Sequence, residues 1–535
     1  MKIEDAISAA IKNIAKHGDT DVFPFPIEKH VFYDCHDECK RLLMEIHSNL
    51  EKFLDSHPPI KIETLTQVGY TGFRWATQIE PFWNAYYLAL IIRLADKIEA
   101  ERISEKEKVV FSYRFHWNDK DAKLFKDINW NDFKHHCVEL SKDYHYVVLT
   151  DIADFYTRVY HHRIENALQR LPSSGDIPHR IMKLLKNFSI NVSYGLPIGG
   201  PASRILAELS LNDTDKLLHR QKIMFCRYAD DYCVFCKDKS DAYRTLVLLS
   251  EKLYNEGLVL QKNKTKILTA EEYREISGLL NKKDSDSANK KSSDEEKLLN
   301  ISIRFDPYSE TAVEDYEKLK AAINEVDIIG ILGRELTKTA IDSVITKQAI
   351  NAIRALTPPA QEGALMTVLN PENLVVLAPV FVTIMRAVKG VYDELSENGK
   401  KFVDETLIEL FDKSSHLLSV ELNLSYYIQA LSARKMPRKE EILIEIFKNQ
   451  SSVLIRRQII LIMATWQCHY WLSDLKRKYG GLTEWEKRMF IIASYFLGDE
   501  GRHWQNNQQK TWSKMDIIVR DWFAKRFKKQ ANVPI

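Results

Sequence analysis

What this 535-residue chain lacks narrows it first. Lys and Arg total 76 against 74 Asp and Glu, a net charge of only +2, so no chain-wide basic field marks a polyanionic partner and any basic groove must be local. The seven cysteines are odd in number and few for a chain of this length. That excludes a dense disulfide framework and fits reduced thiols in the cytoplasm. The most apolar run, Leu374 to Met385, contains Pro379 and falls well short of the roughly twenty residues that span a bilayer. It predicts a buried helix and no membrane association. At the start, Ile3, Ala6, Ile7, Ala10, Ile11 and Ile14 form one helical stripe broken by charges, unlike the continuous apolar stretch of a signal peptide.

What is present is ordinary for a soluble protein: 45% hydrophobic and 28% charged residues. The length suggests roughly two to four domains. Residues 1–108 read as a helical extension, with an aromatic patch from Phe82 to Tyr87 leading into the apolar helix Leu88 to Leu94. From 109 to 117, Val109, Phe111, Tyr113, Phe115 and Trp117 alternate with Val110, Ser112, Arg114 and His116, which predicts a strand with one polar face. Short apolar strands then alternate with helical stretches, so 109–275 forms an α+β unit. Residues 276–307 contain KKDSDSANKKSSDEE at Lys282 to Glu296, which has almost nothing to bury and reads as a flexible connection. Residues 308–535 read as successive amphipathic helices, stacked as a solenoid or gathered in a bundle, with Thr483 and Glu486 as a capping box.

Chemistry gathers in the α+β unit. In YVVLTDIADFY, Tyr146 to Tyr156, an apolar strand delivers Asp151 at its end, followed by Asp154 and Tyr156, and a helical pattern follows through Val159, Tyr160, Ile164 and Leu168. In IMFCRYADDYCVFC, Ile223 to Cys236, two strands flank a tight turn bearing Asp230 and Asp231. Taken alone, that pair is either turn chemistry or a cation site, since adjacent carboxylates between apolar strands repel each other unless a divalent ion relieves them. Phosphoryl transfer by two metal ions needs carboxylates from separate chain segments and no side-chain nucleophile. Asp151 with the Asp230/Asp231 pair meets that need.

Asp151, GLPIG at Gly195 to Gly199, and YADD at Tyr228 to Asp231 occur in the order of motifs A, B and C of reverse transcriptases, and the chain resembles that family. The resemblance implies a right-hand polymerase fingers and palm, an antiparallel sheet with helices, followed by an all-α helical-repeat domain. It implies two Mg²⁺ ions, with Mn²⁺ as substitute, on Asp151, Asp230 and Asp231. It makes Tyr156 the ring that excludes a ribose 2′-hydroxyl, so deoxynucleoside triphosphates are the expected substrates. Gly195, Pro197 and Gly199 then shape the loop against the incoming base pair, Ser203 opens the following helix, and Asp154 lies beside the substrate. Ile198 departs from the family's usual Gln. In GLVLQKNKTKI, Gly257 to Ile267, Lys264 matches the motif D proton donor to pyrophosphate, with a solvated lysine as the plain alternative. Arg114 either meets the triphosphate or forms a structural ion pair.

GLPIGGPASR, the upstream SYR at Ser112 to Arg114 and the long helical tail resemble the abortive-infection and defence-associated reverse transcriptases of bacteria, whose tails are HEAT-like α-repeats. That branch implies antiphage defence, a homo-oligomer, RNA or single-stranded DNA as partner, and synthesis that is untemplated, protein-primed or RNA-guided. Two rival functions stand beside it: a mobile-element or housekeeping enzyme copying RNA, and a non-catalytic scaffold with a vestigial palm. The Cys233/Cys236 pair on a strand points to opposite faces and predicts no zinc site. The last helix interleaves Lys525, Arg526 and Lys528 with Trp522, Phe523 and Phe527, as either a nucleic-acid stripe or an amphipathic cap.

Overall fold

The computed structural model describes residues 1–189, 192–281, 294–295, 298, 320, 323, 326–338, 340–529 and 533–534. The expected connection at 276–307 and Tyr308 lie largely outside the described residues. The chain divides into two units: Met1–Ile62, Ala76–Ser285 and Ser513–Trp522 form the first, and Glu63–Trp75, Asp286–Trp512 and Phe523–Ile535 the second.

The first unit opens with helices α1 (Ile3–His17), α2 (Glu28–Asp34), α3 (His36–Ser48) and α4 (Leu50–Ser56). The stripe Ala6, Ile7, Ala10, Ile11 and Ile14 is buried, as its spacing predicts. Next in the chain is a hairpin, β1 (Lys61–Val68) and β2 (Gly72–Ile79), whose residues Glu63–Trp75 belong to the second unit; a purely helical extension does not contain it. Helix α5 (Pro81–Glu101) starts on a Glu80 cap that accepts from the Trp83 N–H, with Pro81 at the first position where its missing N–H costs nothing. The aromatic patch and the apolar helix expected after it are one element, buried along most of its length.

The expected strand over 109–117 is shorter than its alternation suggests. Strand β3 covers only Phe115–Asn118 and pairs with β4 (Lys123–Phe125). Upstream, Val110 makes an isolated bridge to Arg227, and Tyr113 adopts a left-handed φ of 46°. The carbonyls of Ser112 and Tyr113 accept from the Arg102 guanidinium, so a buried side chain takes the ladder's place there. Helix α6 (Trp130–Leu140) begins with a reciprocal capping box between Asn129 and Asp132.

The central sheet contains β5 (Tyr146–Asp151), β6 (Met224–Tyr228), β7 (Asp231–Cys236) and β8 (Lys266–Thr269), in the antiparallel order β6-β7-β5-β8. Helices α7 (Phe155–Arg158), α8 (His161–Gln169), α9 (Ile177–Phe188), α10 (Pro201–Arg220), α11 (Lys239–Asn255) and α12 (Ala270–Asn281) surround it. Val159 and Tyr160 interrupt the expected helix after Asp151, because Tyr160 bridges to Tyr194 instead. Pro201 rather than Ser203 opens α10; Ser203 lies inside the first turn and is buried.

In the second unit, described helices alternate between two layers. Ser343–Ala352, Phe381–Val391, Glu421–Leu431, Val453–Thr465 and Glu484–Ala493 pack each on the next, while Pro358–Leu369, Glu397–Asp412, Pro437–Asn449 and His469–Arg477 lie beside them. That is the solenoid alternative, in which each pair buries its apolar face on its neighbour. Glu421–Leu431 accordingly exposes almost nothing. A buried ion pair, Lys439 to Asp404 at 2.5 Å with Tyr392 donating to the same carboxylate, ties successive pairs. Thr483 and Glu486 form the expected capping box. Pro379 splits the apolar run into Pro371–Val376, a 3₁₀ turn and Phe381–Val391. Among the described residues no helix is long and apolar enough to cross a membrane. The last helix, Lys514–Lys528, buries Trp522 and Phe523.

Candidate active site

Three carboxylates meet at one end of the central sheet because strand register puts them there. Asp151 closes β5 directly opposite Asp231, the first residue of β7. Tyr228 and Asp231 close the β6–β7 hairpin, so Ala229 and Asp230 form its two-residue turn. Ala229 carries a φ of 53°, which costs an alanine about 1–2 kcal/mol. The Ile152 N–H donates to the Asp230 carbonyl at 3.2 Å, tying the turn to the end of β5.

The electrostatics follow from this convergence. Burial, reinforced by the Asp151 and Asp231 charges, pushes the Asp230 carboxyl up to about 7. Asp151 is buried and forms an ion pair with the half-exposed Lys264. The loop before β8 is anchored on the same strand end: the Gln261 N–H donates to the Asp151 carbonyl at 2.7 Å, and the Thr150 and Thr265 hydroxyls share a 2.7 Å hydrogen bond. Lys264 is thereby brought to the carboxylates.

Carboxylate oxygens from two chain segments are the hard donors that suit a hard divalent cation. Among the described residues, no group of three or more His, Cys, Asp or Glu side chains is placed to hold a metal ion. Asp151 instead spends one oxygen on the Lys264 ammonium.

The expected substrate residues divide into two groups. Tyr156 is half-buried beside Phe155, its hydroxyl pushed well above the usual tyrosine range by burial and by the neighbouring Tyr113. Its carbonyl accepts from the Leu196 N–H at 2.8 Å, so the aromatic and the GLPIG loop are directly joined. Gly195 (φ 93°) donates to the Val159 carbonyl, and Gly199 (φ 119°) has a conformation that a side chain would strain. Pro197 and Ser203 line the small space under this loop.

Asp154 and Arg114 lie differently. Asp154 is exposed, has a left-handed φ of 50° and pairs weakly with Arg158 at 3.7 Å. Arg114 is buried and donates to Glu99 and to the carbonyls of Val110 and Ile103, each at 2.9 Å. Of its two readings, the geometry matches the structural ion pair.

A buried charge network, absent from the expected site residues, lies under the turn. Arg227, the residue before YADD, is fully buried and paired with Glu208 at 2.9 Å and Asp215 at 2.6 Å, both on α10. Arg102 joins Glu208 at 2.6 Å, and Tyr232 donates to Asp215 at 3.1 Å. One signal was available: a permanently charged residue inside an apolar strand, with Glu208 and Asp215 seven apart on a helix otherwise rich in leucine.

Residues 88–300 match the family described as reverse transcriptase (RNA-dependent DNA polymerase). No curated protein matches the sequence. Among solved structures, the chain is similar to telomerase from Candida albicans in complex with a fragment of telomeric RNA. That similarity has 9% identity and a TM-score of 0.30, covering 68% of this chain and 70% of that one. At that level it carries no argument about this chain.

Proposed function

We propose, from the reverse-transcriptase domain at residues 88–300, that this RNA-directed DNA polymerase extends a DNA strand at Asp151, Asp230 and Asp231. The observation that carries the reading is the register Asp151 opposite Asp231, with Asp230 on the adjoining turn. It gathers carboxylates from segments separated by the whole GLPIG loop and α10.

Asp151 and Asp230 would hold the divalent ions, with Asp231 as a further ligand. When bound, a Mg²⁺ pair supplies acidification of the primer hydroxyl and neutralisation of the triphosphate charge. The chain's own residues do the rest. Tyr156, joined to the loop through Leu196, faces the sugar and rejects a 2′-hydroxyl by its bulk. The glycine positions of the loop let backbone approach the nascent pair. Lys264, held beside the carboxylates by its ion pair with Asp151, donates a proton to pyrophosphate.

The finer role is antiphage defence, with synthesis that is untemplated, protein-primed or guided by a non-coding RNA, in a homo-oligomer. GLPIGGPASR, the SYR element and the two-layered helical second unit support it. The intact carboxylate set weighs against a vestigial scaffold.

The test is a polymerase assay of purified protein with Mg²⁺. It supplies deoxynucleotides or ribonucleotides separately, with and without RNA, beside Asp230→Ala. Alkali-resistant product that the variant cannot make is expected. Product without added RNA, retained on denatured protein, supports the defence role, whereas strictly RNA-dependent product supports a copying enzyme. No product under any condition would remove the catalytic reading.

A further inference from the structure

The turn that presents Asp230 is an unfavourable one for its sequence. A two-residue hairpin turn usually recruits Gly or Asn where φ is positive, yet Ala229 occupies that place with φ 53°. Some other interaction must hold it.

That interaction comes from two residues upstream. Arg227 Nη1 donates to the Ala229 carbonyl at 2.7 Å, so the side chain folds beneath its own turn. The Ala229 carbonyl belongs to the peptide plane whose nitrogen is that of Asp230, and orienting one orients the other. On the far side, the Asp230 carbonyl accepts from the Ile152 N–H. Both peptide planes flanking Asp230 are therefore pinned, one by Arg227 and one by the end of β5.

Arg227 is itself held with little freedom. Nε donates to Asp215 at 2.9 Å, and Nη2 to Glu208 at 2.9 Å and Asp215 at 2.6 Å. Glu208 is fixed by Ser112 Oγ at 2.6 Å and by Arg102, and Arg102 in turn pairs with Glu99, the partner of Arg114. The chain of alternating charges thus runs from the SYR element through α5 and α10 to the turn. The backbone repeats this link, since the Arg227 N–H donates to the Val109 carbonyl and the Phe111 N–H to that of Arg227. A planar guanidinium can serve a carbonyl and two carboxylates at once; an ammonium cannot do so in the same geometry.

We infer that Arg227, seated by Glu208 and Asp215, is a positioning residue that sets the Asp230 carboxylate for metal binding by clamping the Ala229 carbonyl. The inference rests on the reading of Asp230 as a metal ligand. It makes the buried network part of the active site's precision, beyond holding the core.

The experiment measures Mn²⁺ binding by calorimetry on full-length wild type, Arg227→Lys, Asp215→Asn and Asp230→Ala. Thermal unfolding and steady-state kinetics accompany each. Arg227→Lys and Asp215→Asn, folded at the assay temperature, are expected to bind Mn²⁺ at least about tenfold more weakly, the scale seen when groups supporting a metal ligand are removed. Their kcat should fall while KM for deoxynucleotide stays within about twofold, because the substrate-facing loop is untouched. Wild-type Mn²⁺ binding in either folded variant, with only a lower Tm, overturns the positioning role, as does unfolding of both. Asp230→Ala that binds Mn²⁺ like wild type sinks the metal-ligand reading instead, so the two failures are told apart.

Discussion

Asp151 and Asp231 face each other across the β5–β7 ladder, and Lys264 lies against the first of them. Asp230, on the turn next to Asp231, lies within reach of both charges, and the first test follows from that placement.

Without metal, Asp230 should be a pH-dependent liability. Its carboxyl is raised to about 7 in the folded protein, chiefly by burial and then by Asp151 and Asp231. The folded state therefore binds this proton more tightly than the unfolded chain. Its stabilising effect is complete below the ordinary carboxyl value and is lost as pH rises through about 7. Asp230→Asn removes that loss. In chelator, the variant should be more stable than wild type by about 2 kcal/mol at pH 8, with the gap closing toward pH 5. Denaturant unfolding at the two pH values checks this, and a gap that does not change with pH would contradict it.

Lys264→Met separates catalysis from stability. The Lys264 side chain is 56% exposed in its pair with Asp151, so Tm should move little. If the ammonium delivers a proton to pyrophosphate, kcat should drop by roughly 10²-fold. Single-turnover incorporation is the measurement, and a rate within about twofold of wild type would leave Lys264 as a solvated partner of Asp151.

Tyr156→Val tests sugar selection. Removing the ring should raise ribonucleotide incorporation relative to deoxynucleotide by about tenfold or more, since a steric gate acts on the ratio of kcat/KM values. Competition between labelled dNTP and NTP reads that ratio directly. An unchanged ratio with impaired folding would assign Tyr156 to the core beside Phe155.

Gly257, after α11, has φ 80°, and a Cβ there would collide with the edge of the Tyr160 ring. Gly257→Ala should cost about 2 kcal/mol or more, seen as roughly 4–8 °C in Tm. Gly480→Ala, where nothing lies within 4 Å of the added carbon, is the control and should be near neutral. Equal effects at both positions would refute the steric account.

Local features were legible where they depend on neighbours in sequence. The strand ending at Asp151, the hairpin around Ala229 and Asp230, the stripe of α1 and the Thr483 capping box all follow from short-range periodicity and turn chemistry. The fate of Arg114 was not legible, because alternation along 109–117 cannot reveal that Arg102 and Glu99 intercept the backbone and guanidinium. The β1–β2 hairpin was missed for a related reason: its exposed Phe73 and Trp75 break the usual in–out pattern.

The order of Asp151, GLPIG and YADD, with an aromatic at Tyr156, was determined by the sequence alone, because the chemistry dictates those residue types and their order survives any folding detail. Tertiary structure alone decided which charges came to stand together. Arg102 meets Glu208 across 106 positions of chain, and Lys264 meets Asp151 across 113. A charge is tolerated in a core only when such a distant partner satisfies it, and that partner is chosen by packing, which no local pattern encodes.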